Sequence, residues 1–330
     1  MSRITLSKSN FFYNLDTIVK KTTSKEKIAL VLKDNAYGHG LIEMAQLAAE
    51  YGITKVVVRS EIEAKQIEKY FEYILVLAQI PQKASDKIRY TINDADSIVN
   101  FPKGCLVELK VNTSMNRNGV NIDELSASIE KIKYQGLKLE AIFTHHSCAD
   151  ELNGNYELQK KNFQEIKKRF EGEYRFHSCN SAALFRENSF NEDMARVGVS
   201  AYGCLELPLE IASLELKPVL SLYADKISSR VLNEGDSVGY GATYRAKKRE
   251  IVTNYDIGYG DGFLRANSNV FRTNEDVQIV GRVSMDNSSF LSAQKELLLF
   301  NDAREVAKYA KTISYEVLTS LKPYIKREIV

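Results

Sequence analysis

With 330 residues the chain has room for one large domain and one smaller, or for two of similar size. An apolar fraction of 44% with 10% aromatics supports a packed core and excludes disorder, and 45 basic against 43 acidic residues, net +2, gives no general pull toward nucleic acid or anionic membrane. Four scattered cysteines without a CxxC pair point to a reducing compartment and away from a disulfide framework or zinc site, and with no apolar leader and no stretch near the ~20 apolar residues of a membrane span, the expected location is the cytoplasm.

From residue 28 to about 200, short apolar runs alternate with helical patterns. The runs are 28–32, 54–58, 73–80, 89–92, 105–111, 137–144, 174–177 and 194–200, and the clearest helical spacings are Ile122, Leu125, Ile129, Ile132 and then Phe163, Ile166, Phe170. Eight strands alternating with helices predict an α/β fold, a (β/α)8 barrel of the TIM type over residues 1–216. Beyond Glu206 the texture becomes strand-like and rich in turns, with Pro208 and Pro218 bracketing the change. A second, mostly β domain is expected over 217–330, with strands at 220–230, 237–244, 250–257 and 277–285 and one helix near 302–311. Lys247-Lys248-Arg249 reads as a solvated turn.

The first run delivers Lys33 to a strand-to-helix turn; after Gly38 and Gly40 the residues Leu41, Met44, Ala45, Leu47 and Ala48 keep helical spacing up to Tyr51-Gly52. Such turns carry the chemistry of α/β proteins, and a lysine with a buried stem can become a neutral amine that adds to an aldehyde. A lone lysine there is nevertheless more often a surface residue. In Leu106–Asn112 the apolar Val107, Leu109 and Val111 share one face while Glu108, Lys110 and Asn112 share the other. Barrel strands are normally apolar on both faces, so this polar face reads as lining a site at the barrel mouth; an exposed edge strand is the alternative. Ser181, opening a helix before Ala182-Ala183, is placed either to hold an anion at the free backbone N–H groups or to serve as a plain N-cap.

Leu32-Lys33-Asp34-Asn35-Ala36-Tyr37-Gly38-His39-Gly40 resembles the pyridoxal 5'-phosphate (PLP) attachment motif of alanine racemases, with Asp34 where that pattern has Ala. The likeness implies that Lys33 holds the cofactor aldehyde and that Tyr37 reaches the phosphate. It continues in order. Leu109-Lys110-Val111-Asn112-Thr113-Ser114-Met115-Asn116-Arg117-Asn118-Gly119 is similar to LK-[IV]-DTGM-x-RLG, departing from it at Asn112, Ser114, Asn116 and Asn118. The match implies contact of Arg117 with the cofactor ring oxygen and the substrate, and makes Lys110 a candidate for carbamylation by carbon dioxide, which would turn a repulsion of Arg117 into an attraction. Thr144-His145 implies His145 stacked on the cofactor ring, with no role for His146.

His177-Ser178-Cys179-Asn180-Ser181-Ala182-Ala183 resembles H-x-x-NSAA, which implies Ser181 on the phosphate. Arg196-Val197-Gly198-Val199-Ser200-Ala201-Tyr202-Gly203 is similar to R-x-G-[IV]-x-x-YG, so Arg196 is implied as partner of the pyridine nitrogen, with Gly198 and Val199 giving N–H groups to the phosphate. A permanently charged guanidinium cannot accept the ring proton, so the ring is a weaker electron sink than with a carboxylate partner, and a carbanion is reprotonated at its own carbon.

Val238-Gly239-Tyr240-Gly241-Ala242-Thr243-Tyr244 resembles [VS]-x-YGATY and implies Tyr240 as a second acid/base, opposite Lys33 and supplied by the other subunit of a homodimer. With a free pKa of ~10 the tyrosine needs a positive or hydrogen-bonding neighbour for that role. Asp256 to Gly262 then implies Tyr259 at the substrate entrance, and Gly281-Arg282-Val283-Ser284-Met285-Asp286, similar to GR-x-x-MD, implies the Met285 N–H on the substrate carboxylate. Ser314-Tyr315-Glu316-Val317-Leu318-Thr319 matches YE-[LIV]-x-T; Tyr324 stands where some members have a phosphate-contacting tyrosine and is given no role. The segment between Asp286 and Tyr315 is shorter than usual.

These likenesses imply a PLP-dependent alanine racemase of fold type III that interconverts L- and D-alanine by a two-base Lys33/Tyr240 mechanism and supplies D-alanine for peptidoglycan. The alternatives are a racemase of broader specificity, a decarboxylase of the same architecture, and a PLP-binding carrier without turnover. No metal ligand set is expected.

Overall fold

The structure is a computed structural model that describes residues 2–330. Its first strand, β1 (Arg3–Leu6), and first helix, Lys8–Thr22, precede the barrel. Ser7 caps that helix, its hydroxyl accepting from Asn10 N–H. The barrel strands are β2 (Ile28–Val31), β3 (Lys55–Val58), β4 (Tyr73–Val76), β5 (Ile88–Ile92), β6 (Leu106–Lys110), β7 (Lys138–Phe143), β8 (Arg175–His177) and β9 (Ala195–Val197). All are parallel, in the order β8-β7-β6-β5-β4-β3-β2-β9. The gap between β8 and β9 is spanned by Asp193 N–H to Phe176 C=O at 3.1 Å and Arg196 N–H to Cys179 C=O at 2.9 Å, closing the ring.

Each expected run overlaps one of these strands, because strands covered by helices outside and filled within read as unbroken apolar runs; β2 and β4 are buried at every residue. The run 73–80 ends as a strand at Val76, although Leu77 and Ala78 still direct their N–H groups to Val58 and Arg59.

The remaining strands are β10 (Leu220–Leu232), β11 (Ser237–Val238), β12 (Tyr244–Arg245), β13 (Glu250–Tyr255), β14 (Ser288–Phe290), β15 (Glu296–Phe300) and β16 (Lys326–Ile329). β10 is the spine of this second sheet. It pairs antiparallel with β1, β13 and β15 in turn, and β16 adds to β1 in parallel. The N-terminal strand therefore lies in the β sheet, although its position in the chain groups it with the barrel.

Two expected strands are not formed. The stretch 237–244 splits into β11 and β12 around a single turn, Tyr240–Ala242, where Gly239, Gly241 and Ala242 all have positive φ. The stretch 277–285 makes only isolated bridges, because Gly281 N–H is taken by the Asn269 side chain and Val283 N–H by Ser268 Oγ, leaving too few free amides for a ladder. The helix Ala303–Ala310 falls where one was expected, capped by Asp302.

Fully buried Asn14, on the first helix, ties the two parts together. Its amide donates to Ala201 C=O at 3.0 Å and Lys217 C=O at 2.8 Å and accepts from Lys217 N–H at 2.8 Å. Asn14→Ala strands three buried backbone groups, each worth about 1–3 kcal/mol. The expected result is a loss of several kcal/mol in denaturant unfolding with the secondary structure retained in circular dichroism.

Candidate active site

The C-terminal ends of the barrel strands surround a cavity of about 570 Å³. Lys33, Tyr37, Lys110, Arg117, His145, Ser181, Arg196, Gly198 and Val199 all line it. Nine side chains and backbone positions scattered over 167 residues of sequence thus meet at one place.

Lys33 is placed by an unusual turn. Lys33–Tyr37 makes one turn of helix of reversed hand, with φ of 53°, 56°, 52° and 52° at Asp34, Asn35, Ala36 and Tyr37. Asp and Asn tolerate this conformation, but Ala and Tyr pay a steric cost of roughly 1–2 kcal/mol each. The reversed hand puts both the Lys33 amine and the Tyr37 ring on the cavity wall. Gly38 follows at φ +77° with its Cα pressed against the next domain; a Cβ there would lie 1.9 Å from Leu318 C=O. Asp34 and Arg59 form an ion pair at 3.3 Å at the cavity edge.

Arg196 is the most heavily committed group. One terminal nitrogen donates to His177 Nδ1 and to His177 C=O at 3.2 Å; the other donates to Thr144 C=O at 2.6 Å and Ser178 C=O at 3.1 Å. The guanidinium lies 5.0 Å from the Phe143 ring centroid, and Phe143 stacks on His177 at 4.7 Å. With Nδ1 accepting, the His177 proton sits on Nε2 and is donated to Glu108 at 2.9 Å. Glu108, wholly buried inside the barrel, also accepts from Tyr73 Oη and from Arg175 at 3.3 Å. Burial would raise its pKa, yet His177, and then Arg175 and the Tyr73 hydrogen bond, hold it below the usual carboxylate range. The polar face of β6 is thus the barrel interior, and Glu108 anchors the histidine that orients Arg196.

Lys110, 8% exposed, has no hydrogen-bond partner among the described residues. Burial first, and then Arg117, Arg196 and Lys33, bring its pKa down to about 8. Arg117 comes from an exposed loop braced by Asn112, whose side chain accepts from Ser114 and Asn116 N–H and donates to the Asn116 side chain. Three of the departures from the family pattern, Asn112, Ser114 and Asn116, are therefore partners in one self-supporting loop.

The helix Ser181–Arg186 is capped by Asn180, which accepts from Ala183 N–H, so the N-cap alternative for Ser181 falls. Ser181 Oγ instead meets Gly198 N–H at 3.1 Å, Ser200 N–H at 3.3 Å and Ser200 Oγ at 2.9 Å. Gly198 is required by close approach: a Cβ there would sit 2.9 Å from Tyr37 Oη. Tyr315 lines the same wall, 5.8 Å from the Tyr37 ring, and was not singled out from sequence; its signal was the YE-[LIV]-x-T segment, which carried no role of its own.

Three residues do not line this cavity: Tyr240, Tyr259 and Met285 are 70%, 42% and 56% exposed. They share one surface. Tyr259 N–H bonds Ser284 C=O, Gly260 N–H bonds Met285 C=O, and a Cβ on Gly241 would meet the Arg282 guanidinium at 3.3 Å. Tyr324 belongs to this surface, donating to Gly260 C=O at 2.9 Å, not to the cavity.

Residues 6–206 match the alanine racemase N-terminal domain and residues 219–329 the alanine racemase C-terminal domain. The chain belongs to the alanine racemase family. It is 42% identical to the alanine racemase of Campylobacter curvus over 340 aligned positions, covering 100% of both chains. The crystal structure of the Bacillus anthracis alanine racemase with bound L-Ala-P superposes with a TM-score of 0.90 at 27% identity, covering 100% of this chain and 95% of that one. A histidine racemase from Leuconostoc mesenteroides subsp. sake superposes at 0.87 with 26% identity, covering 100% and 98%. The barrel followed by a mostly β domain is thus the family architecture.

All four histidines are held neutral by their surroundings. Burial is the main cause in each case, and it brings His39 and His146 down to about 4 and also lowers His145 and His177. Folded-state pKa values below the unfolded 6.5 mean that the unfolded chain binds these protons first. Stability is therefore expected to be full above about pH 6.5 and to fall steadily as pH drops toward 4, a trend that urea unfolding across this range measures and that a flat profile contradicts.

Proposed function

We propose that the protein is a PLP-dependent racemase acting on alanine. The observation that carries the reading is Arg196: four of its five N–H groups are spent on protein acceptors, and the fifth, on Nε, meets none among the described residues in a residue that lines the cavity. A donor left over in this way, in a residue that lines the cavity, suits an aromatic nitrogen acceptor. The wall formed by Ser181, Gly198, Val199, Tyr37 and Tyr315 offers hydroxyl and backbone donors suited to a phosphate. His145 is suited to stack on the ring. When bound, PLP supplies an aldehyde for the substrate amine and a ring that withdraws electron density from the α-carbon.

The remaining roles fall to the chain. Lys33 would hold the cofactor aldehyde, and its free amine would carry a proton on one face of the substrate α-carbon. Arg196, oriented by its bonds to His177, Thr144 and Ser178, cannot take a proton from the ring and so limits the electron withdrawal. Lys110, with its pKa near 8, has a substantial neutral fraction and is a candidate for addition to CO2, giving a carbamate and a released proton; the carbamate would orient Arg117 toward the substrate. Tyr240 is the acid/base for the opposite face. Its exposure, together with that of Tyr259 and Met285, supports a homodimer in which this surface completes the partner's cavity, with Tyr259 at the entrance and the Met285 N–H toward the substrate carboxylate.

Among the described residues no helix is long and apolar enough to cross a membrane. A cytoplasmic role in providing D-alanine for peptidoglycan is part of the same reading. The histidine racemase neighbour favours a second one, a racemase of broader specificity on the same framework.

L-Alanine incubated with the PLP-loaded protein in deuterated water should lose optical rotation as the α-position takes up deuterium; deuteration with retained chirality would refute two-base racemisation. Tyr240→Phe should abolish racemisation while the α-proton of one enantiomer still exchanges with solvent. Exchange of neither enantiomer, or racemisation at the wild-type rate, would remove Tyr240 from the chemistry. Comparing alanine with serine and histidine as substrates decides between the narrow and broad readings.

A further inference from the structure

The reversed turn after Lys33 makes bonds of its own, Gly38 N–H to Asp34 C=O at 3.2 Å and Gly40 N–H to Asn35 C=O at 3.0 Å, but it is not held by these alone. Its residues are clamped from outside at both ends. At its start, Glu63 Oε1 accepts from Asp34 N–H at 2.7 Å and Asn35 N–H at 3.4 Å, while Glu63 Oε2 accepts from Arg59 N–H at 2.8 Å and Ser60 N–H at 3.3 Å. One carboxylate thus answers four backbone donors, joining the cap of the helix Glu61–Ile67 to the Lys33 turn. At its end, Arg327 on β16 gives the Gly38 carbonyl two hydrogen bonds, from Nε at 3.1 Å and from a terminal nitrogen at 2.7 Å. The other terminal nitrogen is fixed by Ile325 C=O at 2.6 Å and Pro323 C=O at 3.0 Å, so the fork cannot swing away. Neither Glu63 nor Arg327 lines the cavity.

We propose that Glu63 and Arg327 are positioning residues for the PLP site, a clamp that keeps Asp34–Tyr37 left-handed and so presents Lys33 and Tyr37 together to the cofactor. The inference rests on the proposed function. Its chemistry explains the residue types. A left-handed turn of residues with side chains persists only where its surroundings over-determine it. A carboxylate is the side chain that accepts on both oxygens at once; Gln would face one pair of N–H groups with its own NH2. A guanidinium is the side chain that can hold one carbonyl with two donors while bonding the neighbouring loop with the rest. The clamp also makes the β domain part of the cofactor site of its own chain, since Arg327 belongs to the second sheet and Gly38 to the barrel.

The test compares wild type with Glu63→Gln and Arg327→Lys, substitutions that keep size or charge and remove the doubled hydrogen bonds. Amide hydrogen exchange is measured over residues 33–41 in the protein with and without PLP, and the dissociation constant for PLP is read from the visible absorbance of the bound cofactor. Both variants should exchange about tenfold faster over this segment, with the peptides of β5 to β7 unchanged, and should bind PLP about tenfold more weakly, the size of one lost charged hydrogen bond. At saturating PLP, kcat should fall with little change in KM. Unchanged exchange overturns the clamp. Faster exchange with wild-type PLP affinity and kcat overturns the positioning role. A wild-type protein that takes up no PLP refutes the functional reading instead, while the exchange comparison still upholds or refutes the clamp.

Discussion

A guanidinium with no carboxylate in direct contact, buried beneath the mouth of the barrel, is the constraint from which the site is built. Arg196 is held by a histidine ring nitrogen and three backbone carbonyls, and its charge is answered at a distance by Glu192 and, through His177, by Glu108. A direct carboxylate partner would have neutralised the charge and consumed the leftover N–H. Placing the anion behind the imidazole keeps the arginine oriented and cationic while leaving its side edge facing the cavity. The barrel interior, which in most folds of this type is filled with aliphatic layers, gives up space here to Glu108, Tyr73 and Arg175 for that purpose.

The second organising fact is the excess of positive charge around the cavity. Lys33, Lys110, Arg117 and Arg196 all reach it, and the repulsion among them is visible in the lowered pKa of Lys110. Such a site is prepared for anions, and the phosphate and substrate carboxylate of the proposed reaction are both anionic. The same crowding makes a neutral Lys110 easier to obtain than it is in water.

Much of this was legible in the amino-acid order, for physical reasons. Strands buried on both faces read as apolar runs, so the barrel was visible, and the alternation in Leu106–Asn112 exposed an interior carrying Glu108 and Lys110. Motif likeness then named the cavity residues from Lys33 to Val199, and the structure brings them together. What could not be read depends on partners distant in sequence or on backbone handedness. Ala36 and Tyr37 carry no mark of positive φ, so the reversed turn was hidden. The strand expected at 237–244 broke at a turn whose Ala242 carries no mark of positive φ, and the one at 277–285 failed because side chains of Asn269 and Ser268 capture amides that a ladder would need. Arg3–Leu6 gave no sign of its partner, since Arg3 pairs with Tyr223, 220 positions away. Tyr315 sat in a recognised segment without a recognised task.

The bond from Arg327 to the Gly38 carbonyl spans 289 positions of chain. Contacts of that span carry a large loop-closure cost and are made only after intervening structure has formed. A folding intermediate with a closed barrel would already possess Lys33, Arg196 and the other cavity groups, yet its cofactor loop would still be free to relax to the ordinary right-handed form. Competence would then arrive as a late docking event, separate in time from barrel closure, and a slow refolding phase seen in cofactor uptake but absent from the far-ultraviolet signal would be its kinetic trace.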